Sequence, residues 1–304
     1  MNRLNESLKS KTQTPLIYVK LVSTGFFWGG TFIAGKFLAK NVGPFSIAFL
    51  RFAIASVCLV LLTIKTEPEL PKIKKDLYLP ILLLGMTGIF GYNFFFFKAL
   101  QTIQASRASV IIATSPVFIA LLSSLFFKEH LTAKKIIGII VSVAGSITVI
   151  SKGKITQIFD VGFGTGELYI LACVLFWTAY SLIGKKTMAK LSPLVCTTCA
   201  SVVGTVMLFG PACHEGIIRD LGGYAVSDWL SIAYLAVFGT VIGFVWFYQG
   251  VNRIGPTKAG LFINFVPVFA VVSAFLILKE PLTISLLIGT AMVCSGVYLV
   301  NNSN

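Results

Sequence analysis

Residues able to make or break bonds are scarce in this 304-residue chain, and they stand at its margins. All eleven acids (Glu6, Glu67, Glu69, Asp76, Glu129, Asp160, Glu167, Glu215, Asp220, Asp228, Glu280) fall in tails, loops or the ends of apolar runs, as do His130 and His214. An enzyme needs a converging acid, base or nucleophile, and none is spelled out, so no catalytic residue is assigned. Cys196 and Cys199 have a C-x-x-C spacing, yet no second pair completes a zinc site and no redox motif surrounds them. They read as small apolar packing residues. No metal and no cofactor is expected.

What remains suits binding. Arg51 lies inside an apolar run, Phe49-Leu50-Arg51-Phe52. A cation there is costly unless it is paired. It is either a carboxylate anchor or gate, or a structural arginine that bonds helix ends near the membrane surface. Trp28 and Thr31 lie one helical turn apart, as do Trp177 and Tyr180. With Tyr92, Asn93 and Trp246 they offer aromatic faces with hydrogen-bonding tips, suited to small metabolites. The competing reading is an interfacial belt or packing knobs. Pro116 and Pro267 interrupt two runs and free carbonyls one turn earlier, beside Thr114, Ser115 and Asn264. They are hinge candidates, unless neighbouring hydroxyls simply heal the kinks. Gly25 with Gly29, and Gly239 with Gly243, read as helix-packing faces.

These residues must be carried by membrane helices. Hydrophobic residues make up 56 % and charged ones 12 %, against roughly 25 % charged in a soluble domain. A spanning helix takes about 20 apolar residues. Ten runs qualify: Leu16–Leu38, Pro44–Ile64, Leu77–Leu100, Ala105–Phe127, Lys135–Ile150, Gly166–Gly184, Pro193–Ala212, Asp228–Gln249, Lys258–Leu278 and Thr283–Val300. The net charge of +14 is spread in short clusters between runs, which fits topogenic charge and excludes a nucleic-acid partner.

The runs repeat. Phe27-Trp28, Gly35-Lys36 and Pro44 return as Phe176-Trp177, Gly184-Lys185 and Pro193, each 149 positions later. Pro116-Val117-Phe118, Lys128-Glu129, Leu131-Thr132, Gly138 and Gly145 return 151 positions later as Pro267-Val268-Phe269, Lys279-Glu280, Leu282-Thr283, Gly289 and Gly296. The chain divides into a cytoplasmic tail (1–15), a first repeat (16–151), a linker (152–165) and a second repeat (166–302). Five spans per repeat is an odd number, so the halves enter the bilayer upside down relative to each other. The fold class is all-α, integral membrane, with ten transmembrane helices as two inverted five-helix repeats. With both termini in the cytoplasm, sixteen basic residues lie inside against eight outside. Inverted repeats place a solute site near the midplane and permit alternating access.

The duplicated F-W-x-x-x-x-x-x-G-K, Pro-Val-Phe and Lys-Glu-x-Leu-Thr elements, in that order on ten spans, resemble the EamA-type drug/metabolite transporters over about Leu16 to Val300. The resemblance implies a multi-pass exporter of small metabolites in the bacterial cytoplasmic membrane. Acids confined to run ends argue against a buried proton relay and for facilitated efflux. One arginine is too little for a phosphate dianion. The expected substrate is therefore neutral or zwitterionic, amino acids foremost. The alternatives are nucleoside-, cofactor- or sugar-type solutes, or a non-transporting scaffold or receptor. The expected partners are the solute and the lipid bilayer; the sequence leaves the oligomeric state open.

Overall fold

The computed structural model describes residues 2–67, 73–127, 131–153, 164–254 and 256–302. Lys128, Glu129, His130 and most of the linker fall outside these. Among the described residues, ten helices are long and apolar enough to cross a membrane: α1 Pro15–Leu38, α2 Pro44–Thr66, α3 Lys75–Thr102, α4 Ala105–Phe126, α5 Ala133–Ile150, α6 Thr165–Thr187, α7 Pro193–Glu215, α8 Val226–Val251, α9 Ala259–Leu278 and α10 Ile284–Asn301. The first helix continues N-terminally to Asn2. We call the end of the bundle where α1 ends and α2 begins the distal face, and the other the proximal face.

The repeated residues set helix boundaries. Pro44 and Pro193 occupy the first turns of α2 and α7, where a missing N–H costs nothing. The duplicated Leu-Thr supplies N-caps: Thr132 accepts from the Lys135 amide at 3.3 Å and Thr283 from the Leu286 amide at 3.2 Å. Lys36 donates to the carbonyls of Leu100 and Ile103 at 2.7 Å each, placing a cation on the C-terminus of α3.

Packing follows the duplication. Helix α1 lies against α8 and α9, while α6 lies against α3 and α4; exchanging the halves converts one set into the other. The pairs α2/α7, α4/α9 and α5/α10 join equivalent helices. They run antiparallel, as inversion requires. The start of α2 meets the end of α7 through Glu215, and the end of α2 meets the start of α7 through a 2.5 Å Ser192–Glu67 bond. Glycines let α5 and α10 approach: a Cβ on Gly138 would stand 2.6 Å from the Gly296 carbonyl, and one on Gly145 would stand 2.8 Å from that of Gly289. All four belong to the set that recurs at a spacing of 151, so its two glycines encode this contact in both copies.

Two spans carry wide turns at matching places, Gly85–Gly91 in α3 and Val237–Ile242 in α8. Both end 151 positions apart. Such π-turns leave carbonyls misaligned for the helix's own amides and often mark functional sites.

The α5/α10 contact makes a direct prediction. Gly145→Val should destabilise the protein by about 1–3 kcal/mol, the usual cost of overpacking. Gly210→Ala, with nothing within 4 Å of the added carbon, should be neutral. Thermal denaturation of the detergent-solubilised protein, followed by loss of the monodisperse peak, distinguishes the two.

Candidate functional site

The π-turns aim polar side chains at one arginine. Asn93 donates its amide hydrogens to the carbonyls of Ile89 (2.9 Å) and Gly88 (3.3 Å), which leaves its oxygen to accept from Arg51 Nη1 at 3.1 Å. Thr240 donates its hydroxyl to the Leu235 carbonyl five residues back at 3.0 Å. Its oxygen is thereby presented to Arg51 Nε at 3.1 Å. Arg51 is 8 % exposed, and Phe52 stacks on it with its ring centre 5.0 Å from the guanidinium carbon. Among the described residues no carboxylate pairs with it and Nη2 has no hydrogen-bond acceptor. The arginine therefore joins α2, α3 and α8. Its hydrogen-bond partners are side chains of other spans and not helix-end carbonyls.

Trp28 and Thr31 join this cluster. The Trp28 indole donates to the Gly239 carbonyl at 3.1 Å, within the α8 π-turn. A Cβ on Gly239 would stand 2.7 Å from the Thr31 methyl and 3.7 Å from Arg51 Nη2, so the three side chains converge on that glycine. Its repeat partner Gly88 receives Tyr180, the partner of Thr31. There the neighbours are aromatic: Tyr92 lies 5.4 Å from Trp177, and Trp177 lies 5.2 Å from Tyr180, between ring centres. Tyr248 and Thr197, not anticipated from sequence, share a 3.1 Å hydroxyl bond. Tyr92 and Asn93 are adjacent in α3, so the aromatic group adjoins the Arg51 group.

The remaining candidates lie elsewhere. Trp246 packs on Phe27 at 5.7 Å, beneath Lys20 at 5.9 Å, apart from Trp28. Thr114 and Ser115 donate to the carbonyls of Ile111 (2.7 Å) and Ile112 (2.6 Å) of their own helix. Ile112 is the carbonyl that Pro116 frees, so here the hydroxyls heal the kink. The second interruption is a tight turn at Phe262–Asn264, before Pro267, where the Asn264 carbonyl takes the Cys294 thiol at 3.5 Å. Gly25 and Gly29 pack closely on α9 as expected.

Symmetry breaks at the arginine. Arg51, Asn93 and Thr240 have Ala200, Phe244 and Ile89 as repeat partners. The polar trio exists once and its counterpart is apolar.

A second charged layer closes the distal face. Glu215 accepts from the Ser46 amide (2.7 Å) and hydroxyl (2.8 Å), and from the Phe45 amide at 3.3 Å. Glu280 accepts from the Ala105 amide (2.8 Å), the Ser106 amide (3.0 Å) and the Ser106 hydroxyl (2.5 Å). Glu167 pairs with Arg107 at 2.8 Å and accepts from the Gly164 amide at 3.0 Å. Arg107 also donates to the Ile150 carbonyl. Sequence reasoning had these acids at run ends, which is correct by position. It missed that Glu167, Asp228 and Glu280 are buried. The signal available was the repeated Lys-Glu just before each Leu-Thr cap. By contrast, Asp220 lies partly exposed at the surface, and the hydrogen bond from Arg219 holds its carboxyl below the usual range.

Residues 16–151 and 164–302 each match the EamA-like transporter family. The chain belongs to that family. An "Uncharacterized transporter YyaM" of Bacillus subtilis is 30 % identical, over 92 % of both chains. An "Uncharacterized transporter" of Archaeoglobus fulgidus is 29 % identical over 93 % of this chain and 98 % of its own. A chloroplastic WAT1-related protein of Arabidopsis thaliana is 25 % identical over 99 % and 73 %. A solved crystal structure superposes with a TM-score of 0.63 at 19 % identity, covering 94 % of this chain and 96 % of its own, which shows a shared fold. This EamA-family chain is thus a multi-pass membrane protein of a transporter family.

The buried clamps carry a prediction. Glu280→Gln keeps the shape but removes the charge that three donors share, so stability should fall by about 1–3 kcal/mol. Asp220→Asn should leave it unchanged. Thermal midpoints of the two variants measured side by side in detergent test this.

Proposed function

We propose that this chain exports small zwitterionic metabolites, amino acids foremost, across the bacterial cytoplasmic membrane by alternating access between inverted halves. The observation that carries the reading is Arg51: a buried cation between the halves whose protein partners are all neutral. Burying an uncompensated charge costs several kcal/mol, and a substrate carboxylate is the partner that would offset it. Its Nη2, beside Gly239, is the donor left for such a group, and a charge-assisted hydrogen bond to a carboxylate is among the strong ones. The ring cluster of Tyr92, Trp177 and Tyr180 is suited to the apolar or aromatic remainder of the same molecule.

The apolar counterpart of the trio argues for one carboxylate per transport event. The distal clamps suit a closed gate on the outer face, with both termini in the cytoplasm as the charge bias suggests. Opening would require α2 and α4 to part from Glu215 and Glu280. No acid joins the Arg51 cluster among the described residues, which favours movement down a gradient over a proton relay at that site.

Vesicles containing the purified protein test the reading with a panel of labelled amino acids, nucleosides and sugars. Amino acids should move faster than in empty vesicles. Arg51→Gln should raise the half-saturating concentration by about 10- to 100-fold, the loss expected for one charged hydrogen bond. Trp246→Phe should have little effect. Flux of nucleosides or sugars without amino acids, or amino-acid flux indifferent to Arg51→Gln, would overturn it.

A further inference from the structure

Away from the Arg51 cluster, the distal face holds a cavity of about 520 Å³. Both halves build it. Gln104 and Arg107 come from the start of α4, Lys152 follows α5, Glu167 stands in the first turn of α6, and Ser285 begins α10. Small-molecule sites are commonly about 300–1,000 Å³, so the cavity is of ligand size. It also has a fixed polar wall: the Arg107 and Glu167 side chains are 11 % and 5 % exposed and hold each other at 2.8 Å.

The charge of the lining selects the ligand. Among the described residues of the lining, Arg107 and Lys152 are the cations and Glu167 the one carboxylate, an excess of one positive charge. Glu280 stands nearby, but its oxygens are committed to the amides of Ala105 and Ser106. Lys36, the other neighbouring cation, is committed to two carbonyls of the α3 end. Three long helices, α4, α6 and α10, begin around the cavity, and their N-terminal dipoles reinforce the positive sign. Lys152 holds a left-handed conformation (φ 52°) at the end of α5, which projects it from a turn rather than from a helix flank.

We infer that this cavity is a second binding site, for a small solute bearing a single carboxylate. Lys152 and the Ser285 hydroxyl, which shares a 3.1 Å bond with Thr283, take the carboxylate; Glu167, whose oxygens already accept from Arg107 and the Gly164 amide, contributes its negative charge toward an α-ammonium group. A phosphate dianion would need more unpaired cations than the lining supplies. An organic cation would meet a net positive wall. On the transport reading proposed above, a solute crossing the distal face meets this station after Arg51; that role rests on the reading, whereas binding itself does not.

The test is binding to the full-length protein in detergent, read as thermal midpoint against ligand concentration at constant ionic strength. Sodium acetate, glycine and methylammonium chloride are the probes. Acetate and glycine should stabilise saturably and methylammonium should not. Lys152→Asn keeps a residue that tolerates the left-handed turn and should weaken acetate binding by about tenfold, the effect of one charge-assisted hydrogen bond. Ser285→Ala, a second and milder change, should weaken it less. Trp246→Phe, which lies apart from both sites, should leave this dependence in place. Absence of saturable stabilisation by acetate and glycine would overturn the inference, as would equal affinity in the wild type and both distal variants. Flux is not the readout, so failure here leaves the transport reading intact.

Discussion

Helix ends buried in a membrane protein have no water to satisfy them, and in this chain the acids of one half do so for helices of the other. Glu215 and Glu280, from the second half, cap the first turns of α2 and α4 in the first. Glu67, from the first half, bonds the N-cap serine of α7 in the second. A carboxylate at a helix N-terminus meets both unpaired amides and the positive end of the dipole. The same bonds hold equivalent helices antiparallel, so helix termination and assembly of the two halves rest on one kind of contact. Any rocking of the halves must exchange these bonds for others.

The element level of this fold was legible in the sequence because lipid imposes a simple rule. Runs of about 20 apolar residues must be helices when no water can satisfy a bare backbone. The ten runs accordingly appear as ten helices, with borders shifted by a few residues: α3 reaches from Lys75 to Thr102 and α6 from Thr165 to Thr187. The repeat was legible as a pattern but not in its purpose. Gly138, Gly145, Gly289 and Gly296 stand in the sequence only as repeated positions, and the crossing of α5 with α10 explains why all four recur. The π-turns left no periodicity to read, since Gly85–Gly91 and Val237–Ile242 keep the apolar composition of their spans.

The candidate site was legible in part. Arg51 announced itself through the cost of a cation in an apolar run, yet its partners lie 42 and 189 positions away. No local pattern connects residues so far apart. Thr240 was invisible, because one hydroxyl in a span usually bonds its own helix. It does so here too, with the Leu235 carbonyl, and only the π-turn leaves its oxygen turned to the guanidinium. Thr114 and Ser115 are the converse case. They look available beside Pro116, but the proline itself creates the carbonyl that Ser115 satisfies. Local demand for hydrogen bonds consumes polar groups that a sequence reading would assign to a ligand.

Duplication explains the architecture, and the departure from it explains the site. Had both halves kept the trio, Ala200 would be a second arginine, with two uncompensated cations buried in one bundle. The chain keeps one cation with Asn93 and Thr240, and fills the equivalent place with Ala200, Phe244 and Ile89. Beside that apolar trio stand Tyr180 and Trp177, where the polar copy has Thr31 and Trp28. A pseudo-two-fold scaffold thereby carries a polar cluster at Arg51 and an aromatic one at Trp177, which adjoin through Asn93 and Tyr92 of α3. On the transport reading proposed above, a molecule with one charged end and one apolar end would match that pair in one orientation only, because reversing it would set its charge among rings and its apolar part against a guanidinium.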